Sequence, residues 1–314
     1  VMREVANRYA NIHSNPCALF IGNLTIDIVG NRCRVGGSGF YGGVALSEYL
    51  GVETHVYTTV DDVYEPMIKS VLAMYGIRMW SSRCCETTTF EIVENKAYRI
   101  AKRGCVLRLE EVEAIFDVVK PSMIFVTPVA REISLEDAIN LVEILKHRTK
   151  TISIDIQGFV RSISEDGLIR CRWEPQLREL LVKATVVHGN ESEFCLENSL
   201  EELISISKLS PVTILMSLDS RGCIVVRNGK ALRIPAPHVN PVDEVGAGDV
   251  LTAVTSYYIA LGLDPIEAAA RGVAAASLKV ENSYGRWFDE DSIQKLSRYI
   301  LRYSQPLNDD FSLR

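Results

Sequence analysis

The chain has 314 residues, 47% hydrophobic and 24% charged, with 34 Lys plus Arg against 40 Asp plus Glu and a formal net charge of −6. That length allows one large domain or two modest ones, and the composition excludes wholesale disorder. A mildly acidic chain lacks the electrostatic footprint of a general nucleic-acid binder, so no nucleic-acid partner is expected.

The most apolar stretch, Val250 to Leu263, carries Thr252, Thr255 and Ser256 and is bounded by Asp249 and Asp264. No membrane span and no membrane partner are expected from it. The opening VMREVANRYANIHSNP holds no apolar run of the secretory kind, so a cytoplasmic location is expected. The eight cysteines form no C-x-x-C pair and no zinc-like Cys/His cluster. They are expected to be mostly buried, reduced thiols, with a few disulfides open only for a hyperthermophilic source.

In chain order, Cys17 to Ile28 reads as a buried strand ending in a functional loop. GGSGFYGG follows, with five glycines between Gly36 and Gly43, then a helix over Val44 to Leu50 stopped by Gly51. His55 to Thr59 is the next strand. Glu86 to Ala101 alternates polar and apolar residues around Glu94-Asn95-Lys96, which predicts a hairpin with one solvated face. Further strands are expected at 123–127, 151–155, 185–188, 213–217 and 223–227. Helices are expected at 135–147, 174–181, 200–207, 247–261, 265–280 and 289–303. Such alternation points to a parallel sheet covered on both faces, with the hairpin as a small inserted sheet. The tail from Gln305 is expected to be loosely held.

The strongest motif is PVDEVGAGDV, residues 241–250, running into a long helix. Gly246-Ala247-Gly248 is a small-residue turn at a helix N-terminus, where unpaired N–H groups and the helix dipole favour an anion. Asp249 sits in the first turn beside that site. It can receive a proton from an attacking hydroxyl, or simply be a helix-end charge. No Lys-Ser/Thr follows, so this is not a Walker A loop, and the dinucleotide fingerprint lacks its third glycine.

D-x-x-G-A-G-D opening a long helix resembles the signature of the ribokinase-like (PfkB) carbohydrate and nucleoside kinases. GNLTIDI resembles the family's first strand with its substrate-contacting Asp, here Asp27. GGSGFYGGVALSEYLG resembles its glycine-rich segment. Asn190-Glu191-Ser192-Glu193 resembles its Asn-x-x-Glu motif, and ARGVAAASLKV its late alanine-rich helix. The resemblance spans residues 17–302.

It implies a three-layer α/β/α sandwich with a mostly parallel central sheet and a small β lid. The kinase domain would cover 17–303, with lid segments 29–41 and 86–103, an N-terminal extension 1–16 and a C-terminal tail 304–314. It further implies γ-phosphoryl transfer from ATP with Mg²⁺ to a hydroxyl. Asp249 would be the base, and the Gly246, Ala247 and Gly248 amides would stabilise the transferring phosphate. Asn190 and Glu193 would hold Mg²⁺ through waters. Asn190, Ser217, Gly222 and Ala275 would line the nucleotide, and Asp27, Gly36, Gly37, Tyr41, Thr88, Arg131 and Gln157 the acceptor. Two departures leave the donor open. Asp219 stands where a glycine is usual, and Glu244 where Thr or Ser is usual.

GGSGFYGG with ETTTFE, PVARE and DIQGFVR looks most like archaeal myo-inositol kinases of this family, which implies myo-inositol as acceptor and inositol 3-phosphate as product. Another sugar, sugar acid or nucleoside stays open, as does a non-catalytic ligand-binding regulator. Arg161 could bind hydroxyls or pair with local acids. His188 reads as a strand-end hydrogen-bonding residue, and Trp173 as packing. An exposed apolar lid face carrying Thr88, Phe90, Ile92, Tyr98 and Ile100 predicts a homodimer through the lid.

Overall fold

The structure, a computed structural model, describes residues 16–93 and 96–307. Residues 1–15 of the expected extension, Glu94 and Asn95 of the expected hairpin turn, the side chain of Tyr98 and residues 308–314 of the tail lie outside the described residues.

Alternation in the first strand sets the layers. In β1 (Cys17–Ile21), Ala18 and Phe20 join one apolar cluster and Leu19 and Ile21 the other. Side chains at alternate positions leave opposite faces, so both faces need cover. Ten strands form the main sheet. In spatial order they are β16 (Gln305–Leu307), β15 (Lys230–Ile234), β14 (Cys223–Arg227), β13 (Thr213–Ser217), β12 (Val186–Asn190), β9 (Thr151–Asp155), β8 (Met123–Val126), β1, β4 (Glu53–Val60) and β5 (Ile77–Arg83). Pairing is parallel from β13 to β5 and antiparallel from β13 to β16.

One face is covered by α1 (Ser38–Leu50), α2 (Glu65–Met74), α8 (Ala247–Ala260), α9 (Pro265–Glu281) and α10 (Glu290–Leu301). The other is covered by α3 (Leu109–Val119), α4 (Leu135–Leu145), α6 (Leu177–Leu181) and α7 (Ser199–Leu209). The short α5 (Gln157–Val160) follows β9. Phe20 and Phe125 stack across β1 and β8 with ring centroids 4.3 Å apart.

Four strands form the lid, in the order β3 (Arg32–Gly36), β2 (Thr25–Val29), β6 (Thr89–Val93), β7 (Lys96–Lys102). Its first segment therefore runs from 25 to 36 rather than 29 to 41. The glycine-rich stretch is helix α1 from Ser38 onward, with Gly37 at φ 89° as its N-cap. Packing explains this against glycine's poor helix propensity. A Cβ on Gly39, Gly42 or Gly43 would stand 2.9–3.1 Å from Val56, Phe20 or Ile77. Only a bare helix face fits that close to the sheet.

The lid's apolar face is covered by this chain itself. Phe90 and Ile100 pack with Val129 and Ala130, and Ile92, Ile163 and Ile169 surround them. Ile163 and Ile169 belong to a hairpin of β10 (Arg161–Ile163) and β11 (Ile169–Cys171), and the Ile100 N–H donates to Gly167 O at 3.0 Å. The apolar surface that suggested a partner copy is thus already buried. At the lid root, Asn23 Oδ1 accepts from the Thr59 N–H and hydroxyl at 2.8 and 2.9 Å. The carboxylate of buried Glu132 accepts the N–H groups of Asn23, Val129 and Ala130.

Two further expectations are corrected. Gln305–Leu307 is no loose tail but pairs antiparallel with β15. Four of the eight cysteines form disulfides, Cys84–Cys105 and Cys171–Cys195. The sequence hid these pairs because each joins residues brought together only by the lid root or the β10–β11 hairpin. Cross-linking restricts the unfolded chain. Reductant should therefore lower the melting temperature, with each bridge contributing about 3 kcal/mol at these loop lengths. Calorimetry with and without reductant checks this, and superimposable melts would refute it.

Candidate active site

The chemistry-bearing residues collect at the carboxyl ends of β9, β12 and β13, under the lid and against the start of α8. Gly246 caps α8 at φ 81°, a left-handed conformation open to glycine. A Cβ there would fall 2.1 Å from the Tyr41 ring, and one on Gly248 would fall 2.7 Å from Cε1 of His188. The turn is thus pressed between an aromatic ring and an imidazole. The Ala247 N–H donates to Glu244 O at 3.2 Å. The N–H groups of Gly246 and Gly248 have no acceptor among the described residues. The three expected anion donors are therefore reduced to two that are free.

Asp249 is half-buried in the first turn of α8, and its Oδ1 accepts the hydroxyl of Ser38, at the start of α1. Burial raises its carboxyl to about 7, with Asp155 adding to the rise and Ser38 and His188 opposing it. Below it runs a hydrogen-bonded chain. His188 Nδ1 meets Asp155 Oδ2 at 2.9 Å, and His188 Nε2 meets Ser217 Oγ at 3.2 Å. Burial opposes charge on His188, but Asp155, Glu193 and Asp249 outweigh it and raise its pKa. Nδ1 carries the proton shared with Asp155, which fixes the ring beneath Gly248.

On the lid side, Asp27 accepts the Thr25 hydroxyl at 2.7 Å. A Cβ on Gly36 would lie 2.2 Å from its Oδ2, so the glycine makes room for the carboxylate. Burial raises the Asp27 pKa, against Thr25, Arg34 and Arg161. Arg161 donates to Val129 O at 2.8 Å and lies 5.1 Å from the Phe90 ring of the lid. Burial lowers its pKa, while Glu193, Asp155, Glu132 and Asp27 all support its charge. The Gln157 N–H is held by Asp155 Oδ1 at 2.9 Å, and its side-chain amide makes no hydrogen bond among the described residues.

The Asn190–Glu193 segment closes on itself. Glu193 Oε2 accepts the Asn190 N–H at 2.9 Å, and Asn190 Oδ1 accepts from the Glu193 N–H and the Ser192 hydroxyl. Burial and Asp155 raise the Glu193 pKa, against Arg161. One Glu193 oxygen is left for a hydrated cation, and Asn190 Oδ1 is already occupied.

Several expected residues are placed elsewhere. Thr88 is fully buried in the lid root, where its hydroxyl accepts the Gly104 N–H at 3.1 Å. The Arg131 guanidinium is taken up by Arg161 O, Phe159 O and Glu174. Ala275 is fully buried in the core and offers a nucleotide no surface. Tyr41 is buried under Gly246 rather than open to a ligand ring. Gly37 serves as the α1 cap. Gly222, at φ 99°, lets the backbone pass Ile234 O, which a Cβ would meet at 2.1 Å. Asp219 stands at φ 52°, a conformation that aspartate tolerates, which explains how it replaces glycine in this turn.

Ser38 and Asp155 were given no role in the sequence, whereas Arg161 was a candidate for hydroxyls or local acids. Ser38 lay hidden among glycines, and Asp155 and Arg161 are the two ends of DIQGFVR, strand-end residues of the kind that face a cleft. Trp173 packs near Phe194, as expected. Among the described residues, Cys17, Glu53 and His55 lie within chelating distance, at the amino ends of β1 and β4. Trp80 Nε1 donates to His55 Nδ1, so Nε2 holds the proton it shares with Glu53 and is no ligand.

Residues 140–288 match the model of the pfkB family carbohydrate kinases. A pyrophosphate-dependent myo-inositol-1 kinase converted by two substitutions into a myo-inositol-3 kinase is similar in structure. The TM-score is 0.72 at 19% identity, over 88% of this chain and 98% of that one. A pyrophosphate-dependent ribokinase-family kinase solved with a pyrophosphate analogue and myo-inositol gives 0.69 at 19%, over 84% and 94%. Ribokinase from Thermotoga maritima gives 0.64 at 18%, over 91% and 99%. No curated protein sequence matches the chain. The fold is ribokinase-like. No helix among the described residues is long and apolar enough to cross a membrane.

The raised carboxyl of Asp249 has a consequence for stability. Its folded pKa of about 7 lies above the ordinary 3.8, so the folded state holds an extra proton between those values. Stability then falls as pH rises through that window. Asp249→Asn should remove this slope and melt higher than the parent at pH above about 7, with the difference shrinking toward pH 4. Parallel melting curves across that range would show that burial does not burden this carboxyl.

Proposed function

We propose that this chain transfers the γ-phosphoryl group of ATP, with Mg²⁺, to a hydroxyl of myo-inositol, giving inositol 3-phosphate. The observation that carries the reading is Asp249, half-buried beside two free amides with its carboxyl raised to about 7. A base with that pKa is matched to proton transfer near neutrality. The choice of myo-inositol is supported by the two similar structures described with that acceptor.

In this reading the acceptor oxygen attacks the terminal phosphorus and its proton passes to the Asp249 carboxylate. One O–P bond forms as the anhydride O–P bond breaks, and ADP leaves. The Gly246 and Gly248 amides receive the charge of the transferring group. Asp27, Arg161 and the free amide of Gln157 bind acceptor hydroxyls, and the Phe90 side of the lid excludes water. Ser217 and the Asn190 side-chain nitrogen face the donor. Magnesium prefers to keep its waters, which suits a site with one free Glu193 oxygen and no direct cage. When bound, the ion would neutralise donor charge.

A second donor, pyrophosphate, is favoured by the similar kinases described as pyrophosphate-dependent. Asp219 within the Ser217–Gly222 turn is a further departure from a glycine-lined nucleotide loop.

The test is a matrix of donors (ATP, ADP, pyrophosphate) against acceptors (myo-inositol, ribose, fructose, 2-keto-3-deoxygluconate, adenosine), followed by phosphorus NMR of the products. Transfer from ATP to myo-inositol is expected. Transfer from pyrophosphate would revise the donor, and transfer only to another acceptor would revise the substrate. Asp249→Asn should lose roughly 10²–10⁴-fold in kcat, and near-normal turnover would refute its role. Arg161→Gln should raise the acceptor KM more than it lowers kcat, and an unchanged KM would remove Arg161 from the acceptor site.

A further inference from the structure

Lys279, near the end of α9, is 1% exposed. Burying an ammonium is costly unless every proton finds a partner. Its Nζ donates to Asp243 O at 2.9 Å and to Val245 O. The Tyr41 and Trp287 rings present their faces to it, with centroids at 5.3 and 5.8 Å. The Ser283 hydroxyl donates to the same Asp243 carbonyl at 3.1 Å. The Asp243 carboxylate is turned elsewhere, to Arg34 of the lid at 2.6 Å and to the Val245 N–H at 3.0 Å. Backbone carbonyls, not a carboxylate, therefore receive the ammonium. Two carbonyls and two aromatic faces make a cage whose chemistry suits a small dehydrated monovalent cation.

The cage sits directly upstream of the anion turn. Residues 243–245 lead into Gly246, and the N–H groups of Val242 and Asp243 are tied to Val280 O at 3.0 and 3.3 Å. The Tyr41 ring under the ammonium is also the ring against which Gly246 is pressed.

We propose that Lys279 is a positioning residue whose tethered ammonium fills a monovalent-cation cage, fixing residues 243–245 and so aiming the Gly246 and Gly248 amides. The chain carries its own cation there and needs no soluble potassium or ammonium. The kinetic part rests on the phosphoryl-transfer reading above; the cage itself does not.

The experiment truncates the tether and offers the cation back. Melting temperatures of the parent and of Lys279→Ala are measured in tetramethylammonium chloride, whose cation is too large for the cage, and then in potassium or ammonium chloride at equal ionic strength. In tetramethylammonium the variant should melt several degrees below the parent. Potassium or ammonium should restore it with saturation, while the parent does not respond. The variant's kcat should recover over the same concentrations with little change in acceptor KM. A variant whose melt ignores cation identity overturns the cage, whether or not any transfer is detected. A parent that itself requires potassium for transfer overturns it too. Should Lys279→Ala fail to fold, Lys279→Met fills the same space without charge. It should fold, lose roughly 10²-fold in kcat, the usual worth of lost alignment, and resist rescue; undiminished turnover would overturn the proposal.

Discussion

Asp27, Asp155, Glu193 and Asp249 bring four carboxyl groups to the carboxyl end of one sheet, where little water screens them. In such surroundings like charges repel strongly and burial penalises each one. Two cationic groups hold the set together. Arg161 interacts with Asp27, Asp155 and Glu193, and His188 with Asp155, Glu193 and Asp249. Asp155 has the most direct partner, His188 at 2.9 Å. Asp249 has only a hydroxyl as its direct hydrogen-bond partner, and burial raises its carboxyl to about 7. A group that exchanges its proton near neutrality emerges because burial penalises its charge, Asp155 adds to the penalty, and Ser38 and His188 offset it only in part.

The second constraint is room. An amide can approach an anion only where no side chain intervenes, and Tyr41 and His188 leave none at Gly246 and Gly248. The same turn is linked to the lid, because Arg34 of β3 pairs with Asp243, three residues before Gly246. That pair is partly buried, with side chains 32% and 14% exposed. Its importance is geometric: the strand that carries the lid reports to the loop that precedes the anion turn. One aspartate thus connects the lid strand to that loop.

Much of this was legible before any coordinates. The buried runs at Met123, Thr151 and Thr213 gave strands because a strand covered on both faces is apolar throughout. GAGD was legible because small residues before a helix have few other uses. The glycine-rich helix α1 was not, since its helicity comes from close packing on Phe20, Val56 and Ile77, which no local propensity encodes. Thr88 and Arg131 were misassigned for a related reason. Both residue types bind polyols well, but here the lid root and the chain around Phe159 had already taken their hydrogen bonds. Ala275 came with a resembling helix, and here it is packed in the core. Side-chain chemistry was readable, whereas which partner each side chain had found was not.

The β10–β11 hairpin, absent from the sequence reading, ties these features into one frame. Arg161 is its first residue, Ile163 and Ile169 support the lid from below, and Cys171 is bonded to Cys195, two residues after Glu193. The Arg161 guanidinium, the underside of the lid and the turn carrying Glu193 are therefore parts of one cross-linked unit. In-line transfer depends on holding attacking and leaving oxygens in register, and misalignment by an ångström is costly. A free hairpin would let the acceptor side drift relative to the Glu193 turn. The bridge removes that freedom. The cross-linked side of the candidate site is thus the sheet end with its hairpin.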